Sequence, residues 1–135
     1  MTFNEIKEIF RTPAAGYLAT CGDKQPDLRG WELSHVENDR FYFCTSNAKN
    51  VWKDLTANPN IGYACEKDGW FLRILGTIVV VKDKAEKMRA FSKFSNDVKG
   101  LYKGLEDTEL EVFYLEHGII KYTEGSDDPY QILEF

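Results

Sequence analysis

No glycine-rich phosphate loop occurs in this chain. Neither GxGxxG nor GxxxxGK[ST] follows any strand-like run, so dinucleotide-fold and Walker-type phosphate binding find no support. Histidine is scarce: His35 and His117 are the two copies, far apart in the chain. No His/Cys/Asp cluster has zinc spacing, no EF-hand loop is present, and GxSxG is missing. The three cysteines, Cys21, Cys44 and Cys65, are odd in number, lack CxxC spacing and fall in apolar strand-like runs. Buried, reduced thiols are the expectation, which suits a cytoplasm. Long hydrophobic runs are missing too. The longest, Ile74 to Val81, is broken by Gly76 and Thr77 and is far too short to span a membrane. Residues 1–15 carry Glu5, Lys7, Glu8 and Arg11 among their apolar positions, unlike a signal peptide. Positive charge is in deficit: the net charge of −5 disfavours nucleic acid and anionic membrane surfaces as partners.

Aromatic residues, by contrast, are plentiful. Nine Phe, seven Tyr and three Trp favour both strands and pockets for flat ligands. At 135 residues the chain reads as a single domain over 1–135, able to bury one core without metal or disulfide staples.

The hydrophobic pattern predicts a helix over 2–12, capped by Thr2 and stopped by Pro13. Strands follow over 16–21, 28–36 and 41–45, joined by the polar turns GDKQPD and ENDR. A helix over about 47–57 ends at Asn58-Pro59. Two strands, 60–66 and 70–83, flank a tight turn where Gly69 can take positive φ, and Gly76 is the expected bend. An amphipathic helix over 84–95 would turn Ala85, Met88, Phe91 and Phe94 inward, and a short helix is expected within 98–105. Residues 109–125 read as a hairpin or bulged strand around His117-Gly118, and the tail from Asp127 is expected to dock. At least six strands with short connections indicate a mainly β (α+β) fold: a small antiparallel barrel with flanking helices. Closure of that kind removes exposed strand edges.

The junction FYFCTSNAKNVWKDL, 41–55, carries the strongest chemical signal. Thr45 and Ser46 supply hydroxyls, the N–H groups at about 47–50 lack intrahelical partners, and Lys49 and Asn50 add side-chain donors. A cation is mildly unfavourable at a helix N-terminus, by ~0.3–1 kcal/mol, unless an anion sits there with it. The alternative is a lysine pointing into water. Alternation over 28–36 places Arg29, Trp31, Leu33 and His35 on one face, so Arg29 is a cation–π partner of Trp31 or a phosphate donor beside an aromatic wall. On 70–83, Phe71 and Arg73 share a face. Arg73, within an apolar strand, needs a partner: an anionic ligand, or a carboxylate such as Glu32 or Glu66. No catalytic acid, base or nucleophile can be named, and His35 reads as a packed or surface histidine.

The order YLAT, an arginine on the second strand, YFxTS…K…L…NP and then LRxxG resembles the pyridoxamine 5′-phosphate oxidase-like family of flavin-binding proteins, over roughly residues 3–95. The resemblance implies a six-stranded antiparallel split β-barrel of Greek-key order and a homodimer with FMN at the subunit interface. It further implies that Arg29, Thr45, Ser46 and Lys49, with Asn50 as an extra donor, hold the flavin phosphate. Trp31 to Ser34 would line the isoalloxazine, and Trp70, Phe71 and Arg73 would close the pocket or reach it from the partner chain. The implied activity is an FMN-dependent oxidoreductase acting on a small molecule; the alternative is a carrier of flavin, or of haem with His35 as the strand candidate for an axial ligand. True oxidases of the family carry a lysine where this chain has Ser34, and an Arg-His-rich C-terminal motif where this chain has PYQILEF. Pyridoxamine phosphate is therefore not the expected substrate.

Overall fold

The computed structural model describes residues 1–22, 25–104, 106–125 and 129–135. Asp23 and Lys24 of the first expected turn, Leu105, and the start of the tail at Asp127-Asp128 lie outside them.

Short-range signals in the chain set most of the elements. Helix α1, Phe3–Ile9, begins where the Thr2 hydroxyl accepts the Glu5 N–H at 3.2 Å. Strands β1 (Ala14–Thr20) and β2 (Asp27–Leu33) pair antiparallel. Strands β3 (His35–Glu37) and β4 (Arg40–Ser46) form a hairpin through Asn38 and Asp39, both at positive φ, as a two-residue turn requires. Helix α2, Asn50–Ala57, leads to β5 (Asn60–Lys67) and β6 (Trp70–Thr77), whose turn places Asp68 and Gly69 at positive φ. After β7 (Val79–Val80) come α3 (Lys84–Ser92), α4 (Asn96–Lys99), β8 (Leu110–Leu115), β9 (Gly118–Glu124) and β10 (Gln131–Glu134).

The strands form two sheets, ordered β10-β9-β6-β5-β1-β2 and β3-β4-β8-β7. The chain passes between the sheets as a bent strand at β2 into β3, β6 into β7 and β8 into β9, and through α2 between β4 and β5. Joined across those creases they make a six-stranded antiparallel ring in Greek-key order, with β10 added at one edge: the split barrel. Its interior holds Leu18, Phe43, Tyr63, Leu72, Ile74, Phe113, Leu115 and Ile120. A second, smaller cluster under α3 contains Tyr42, Cys44, Phe91, Phe94, Leu110 and Val112.

The creases correct several expectations. The 28–36 run is not one strand. Ser34 and His35 both face Tyr42, the Ser34 N–H bonding to the Tyr42 carbonyl at 3.0 Å while His35 pairs with Tyr42 in register. This bulge shifts the alternation by one residue, so Leu33 enters the main core while His35 enters the cluster under α3. The segment 109–125 is a bent strand rather than a hairpin, because β8 and β9 pair with different neighbours. Gly76 serves a close approach rather than the bend, which falls at Ile78. A Cβ on Gly76 would stand 2.8 Å from the His117 carbonyl oxygen. Helix α3 turns Ala90 and Phe91 inward, followed by Phe94, while Ala85 and Met88 are exposed, since only its C-terminal end reaches the core. The short helix comes early, at 96–99. The tail docks as β10 on β9, and Phe135 reaches the rings of Phe3 and Phe41.

Tyr63 ties the barrel together at the point that matters for the site. Its hydroxyl lies 3.0 Å from the carbonyl oxygens of both Ala14 and Trp31 and accepts the Leu33 N–H at 3.3 Å. Burial pushes its pKa up, so it stays a neutral phenol. Tyr63→Phe leaves the buried Leu33 N–H without its partner and is expected to cost about 1–3 kcal/mol. Urea unfolding monitored by tryptophan emission checks this; an unchanged midpoint would show the hydroxyl to be dispensable.

Candidate functional site

Strand β4 ends on Thr45 and Ser46, as expected, but α2 begins one residue after Lys49. Lys49 is therefore the N-cap residue, in extended conformation, rather than a member of the first turn. Several donors counted as free at 47–50 are in use. Asn47 N–H bonds to the Glu109 carbonyl, Ala48 N–H to the Ser46 hydroxyl at 3.2 Å, and Lys49 N–H to the Ser46 carbonyl at 3.1 Å. The helix start still has no capping side chain and no acidic residue in its first turn.

Thr45 is fully buried and its hydroxyl has no hydrogen-bond partner among the described residues. Ser46 is also buried, and its hydroxyl donates to the Glu109 carboxylate at 3.3 Å. Asn50 is exposed at the first position of α2. Arg29 faces inward from β2, where its guanidinium bonds to the Thr20 hydroxyl at 2.7 Å and pairs with Asp27 at 3.0 Å and Asp54 at 3.4 Å. Thr20 in turn donates to Asp54 at 2.8 Å. Two carboxylates thus already meet the arginine expected to meet a phosphate. Asp54, one turn into α2, and Thr20, at the end of β1, are the partners that sequence reasoning did not assign.

Trp31, Ser34 and Lys49 do come together. The Trp31 indole N–H bonds to the Cys44 carbonyl at 3.1 Å, bridging β2 and β4 where the barrel is split. The Lys49 ammonium stands 5.3 Å from the centre of the Trp31 ring. Both line a cleft of about 160 Å³ whose other walls are Gly30, Glu32, Ser34, Cys44, Val98, Leu101 and Tyr102. Among the described residues no carboxylate forms an ion pair with Lys49. Ser95 donates to the Glu32 carboxylate at 3.0 Å, fastening the start of α4 beside the cleft. Burial pushes the Cys44 thiol up to about 12, so it is no nucleophile at neutral pH. Val98, Leu101 and Tyr102 come from a polar, glycine-broken segment with no sequence feature to mark them.

His35 is buried rather than exposed on a strand face. Its ring stacks on Tyr42 at 4.7 Å, Phe94 lies 5.6 Å away, and Nδ1 is 2.7 Å from the Ser34 hydroxyl. Burial, with Lys93 nearby, lowers its pKa to about 4. His117 is exposed.

Trp70, Phe71 and Arg73 do not join the Lys49 cleft. Trp70 packs on the core. Phe71 and Arg73 lie on the outer face of the larger sheet, and Arg73 is exposed instead of half-buried, its guanidinium 4.7 Å from the Tyr130 ring. Neither Glu32 nor Glu66 forms an ion pair with it. This face carries a groove of about 590 Å³ lined by Tyr17, Ala64, Phe71, Arg73 and Tyr130, among others. A third hollow, along Ala15, Gly16, Tyr17, Gly30, Trp31 and Glu32, shares lining residues with both the groove and the cleft. The outer face also exposes Leu28, Ile119 and Ile132, and cysteine, histidine and carboxylate side chains form no metal-binding group among the described residues.

A family model described as pyridoxamine 5′-phosphate oxidase matches residues 3–121. Several solved structures share the fold. A NimC/NimA family protein from Clostridium acetobutylicum superposes with a TM-score of 0.82 at 19% identity, over 98% of this chain and 92% of that one. A heme binding protein from Mycobacterium smegmatis gives 0.78 at 15% identity, over 96% of this chain and 56% of that one. A pyridoxamine 5′-phosphate oxidase-related, FMN binding protein from Nostoc punctiforme gives 0.71 at 11% identity, over 98% and 93%. No curated protein matches the chain.

Proposed function

The chain belongs to the pyridoxamine 5′-phosphate oxidase family, and from that premise we propose that it binds FMN and works as a flavin-dependent oxidoreductase on a small molecule. The observation that carries this reading is the Lys49 ammonium held over the Trp31 ring, at an uncapped helix start with no acidic residue in its first turn. That is a seat for an anion attached to a flat ring. Lys49, the free donors at the start of α2 and the Asn50 side chain would hold the phosphate. Arg29 would join them by exchanging a carboxylate for the phosphate, and Ser46 by releasing Glu109. Trp31 and Ser34 would border the isoalloxazine. When bound, the flavin supplies the electron or hydride chemistry, and the protein positions it and excludes water.

A second copy of the chain would cover the outer sheet face, where Tyr17 is 60% and Leu28 64% exposed with no helix over them among the described residues. The groove would then lie at the subunit interface. Flavin is favoured over haem because the His35 Nε2 is buried beside Tyr42 and Phe94, closed to an entering iron.

A yellow preparation that releases FMN on denaturation, and is bleached by a nicotinamide donor, would support the oxidoreductase. A colourless protein that takes up no FMN at micromolar concentration would overturn the flavin reading. Lys49→Ala is expected to weaken FMN binding by about 1.5–3 kcal/mol with the fold intact. An unchanged affinity by fluorescence titration would remove Lys49 from the phosphate site. Sedimentation of the purified chain tests the dimer, and a monomer at all concentrations would overturn it.

A further inference from the structure

Strand register lays Gly30, Tyr17, Ala64, Arg73 and Lys121 in one row across the outer face of the larger sheet. Arg73 and Lys121 are therefore direct cross-strand neighbours, an arrangement that like charges disfavour unless something offsets the repulsion. Among the described residues neither forms an ion pair. Both instead lie over one ring, Arg73 at 4.7 Å and Lys121 at 5.1 Å from the centre of Tyr130. A phenol ring eases the repulsion but carries no net charge, so no ion pair among the described residues offsets these two positive charges.

They stand beside the groove of about 590 Å³, which is within the size range of small-molecule sites. Its walls are the rings of Tyr17, Phe71 and Tyr130, and Ala15, Gly16 and Ala64 leave its floor open to a flat body. Glu66, opposite Phe71 on the neighbouring strand, repels an anion from the other side and directs it towards Arg73. A single arginine fork beside a lysine matches the two oxygens of a carboxylate.

We propose that this groove is a binding site for a planar ring carrying a carboxylate, with the ring between Tyr17, Phe71 and Tyr130 and the carboxylate on Arg73 and Lys121. The hollow along Ala15, Gly16 and Trp31 shares lining residues with both this site and the Lys49 cleft. The molecule is thus placed to be the second reactant of the flavin, a role that rests on the function proposed above. The site itself does not depend on it.

The test is calorimetric titration of the full chain, both as purified and after FMN loading, with benzoate, benzamide and inorganic phosphate. Benzoate is expected to bind at millimolar concentration or better, with benzamide weaker by about tenfold or more. Arg73→Gln, at an exposed position, and Lys121→Gln, at a half-buried one, should each weaken benzoate by about tenfold while circular dichroism stays unchanged. Three results would each overturn the site: equal binding of benzoate and benzamide, unaltered binding in Arg73→Gln, or phosphate binding as tightly as benzoate. Failure to take up FMN with benzoate binding as expected would remove the flavin reading and leave the site standing.

Discussion

Phe43→Ala is expected to destabilise the barrel by about 3–5 kcal/mol, a large share of the stability of a domain this size. Phe43 is fully buried on β4. It stacks on Phe113 of β8 at 5.5 Å with the planes 15° apart, and meets Tyr63 of β5 edge-on at 5.3 Å. One ring therefore touches strands from both sheets. Truncation removes the transfer energy of the ring and leaves a cavity, because closed strand pairing on either side of Phe43 restrains collapse. Phe43→Leu keeps most of the volume and should cost less. The check is a pair of urea unfolding curves: the Ala variant's midpoint falls sharply with the m-value unchanged. A loss below 1 kcal/mol would mean that the barrel interior is not close-packed around Phe43.

Acidification is expected to remove about 3 kcal/mol of stability between pH 6.5 and pH 4 through His35. The sign follows from its depressed pKa, lowered from 6.5 to about 4 in the folded protein. Within that window the unfolded chain takes up a proton that folded His35 refuses, so stability is fully present above pH 6.5 and falls as pH drops towards the folded value. The groups facing the ring are the Ser34 hydroxyl, Tyr42, Phe94, Lys93 and Glu37. Burial is the largest cause and Lys93 adds to it, while Glu37 opposes them. Glu37 is itself committed to Arg89 and Lys93 on α3 and the residue following it. Its own pKa is lowered, so its contribution fades only below the usual carboxylate range, beneath the histidine window. Thermal unfolding from pH 7.5 to 4 measures the effect, and His35→Gln should flatten the slope between 6.5 and 4. An equally steep slope in that variant would place the titrating group elsewhere.

Much of the fold was legible because its signals are local. The Thr2 cap, the Asn58-Pro59 stop and the turn at Gly69 each depend on a few neighbouring residues, and all three appear where the sequence places them. The family motif was legible for the same reason, since YFxTS…K spans one strand end and one helix start. Long-range pairing was not. A bulge at Ser34 moves His35 from the face of Arg29 into a second core, yet it adds no residue type that the alternation of 28–36 could reveal. Lys49 and Trp31 meet only because β2 and β4 become neighbours across the split in the barrel.

Arg29 shows the same divide. Its side of the strand followed from period-two geometry, but its partners Thr20 and Asp54 come from another strand and a helix. Arg73 and Lys121 stand opposite each other through a register that neither segment encodes alone. The amino-acid order therefore set most of the elements and the family. Folding set which faces meet, because strand register and sheet crossing depend on contacts between residues distant in the chain, and those contacts bring a lysine to a tryptophan and a second cation to an arginine.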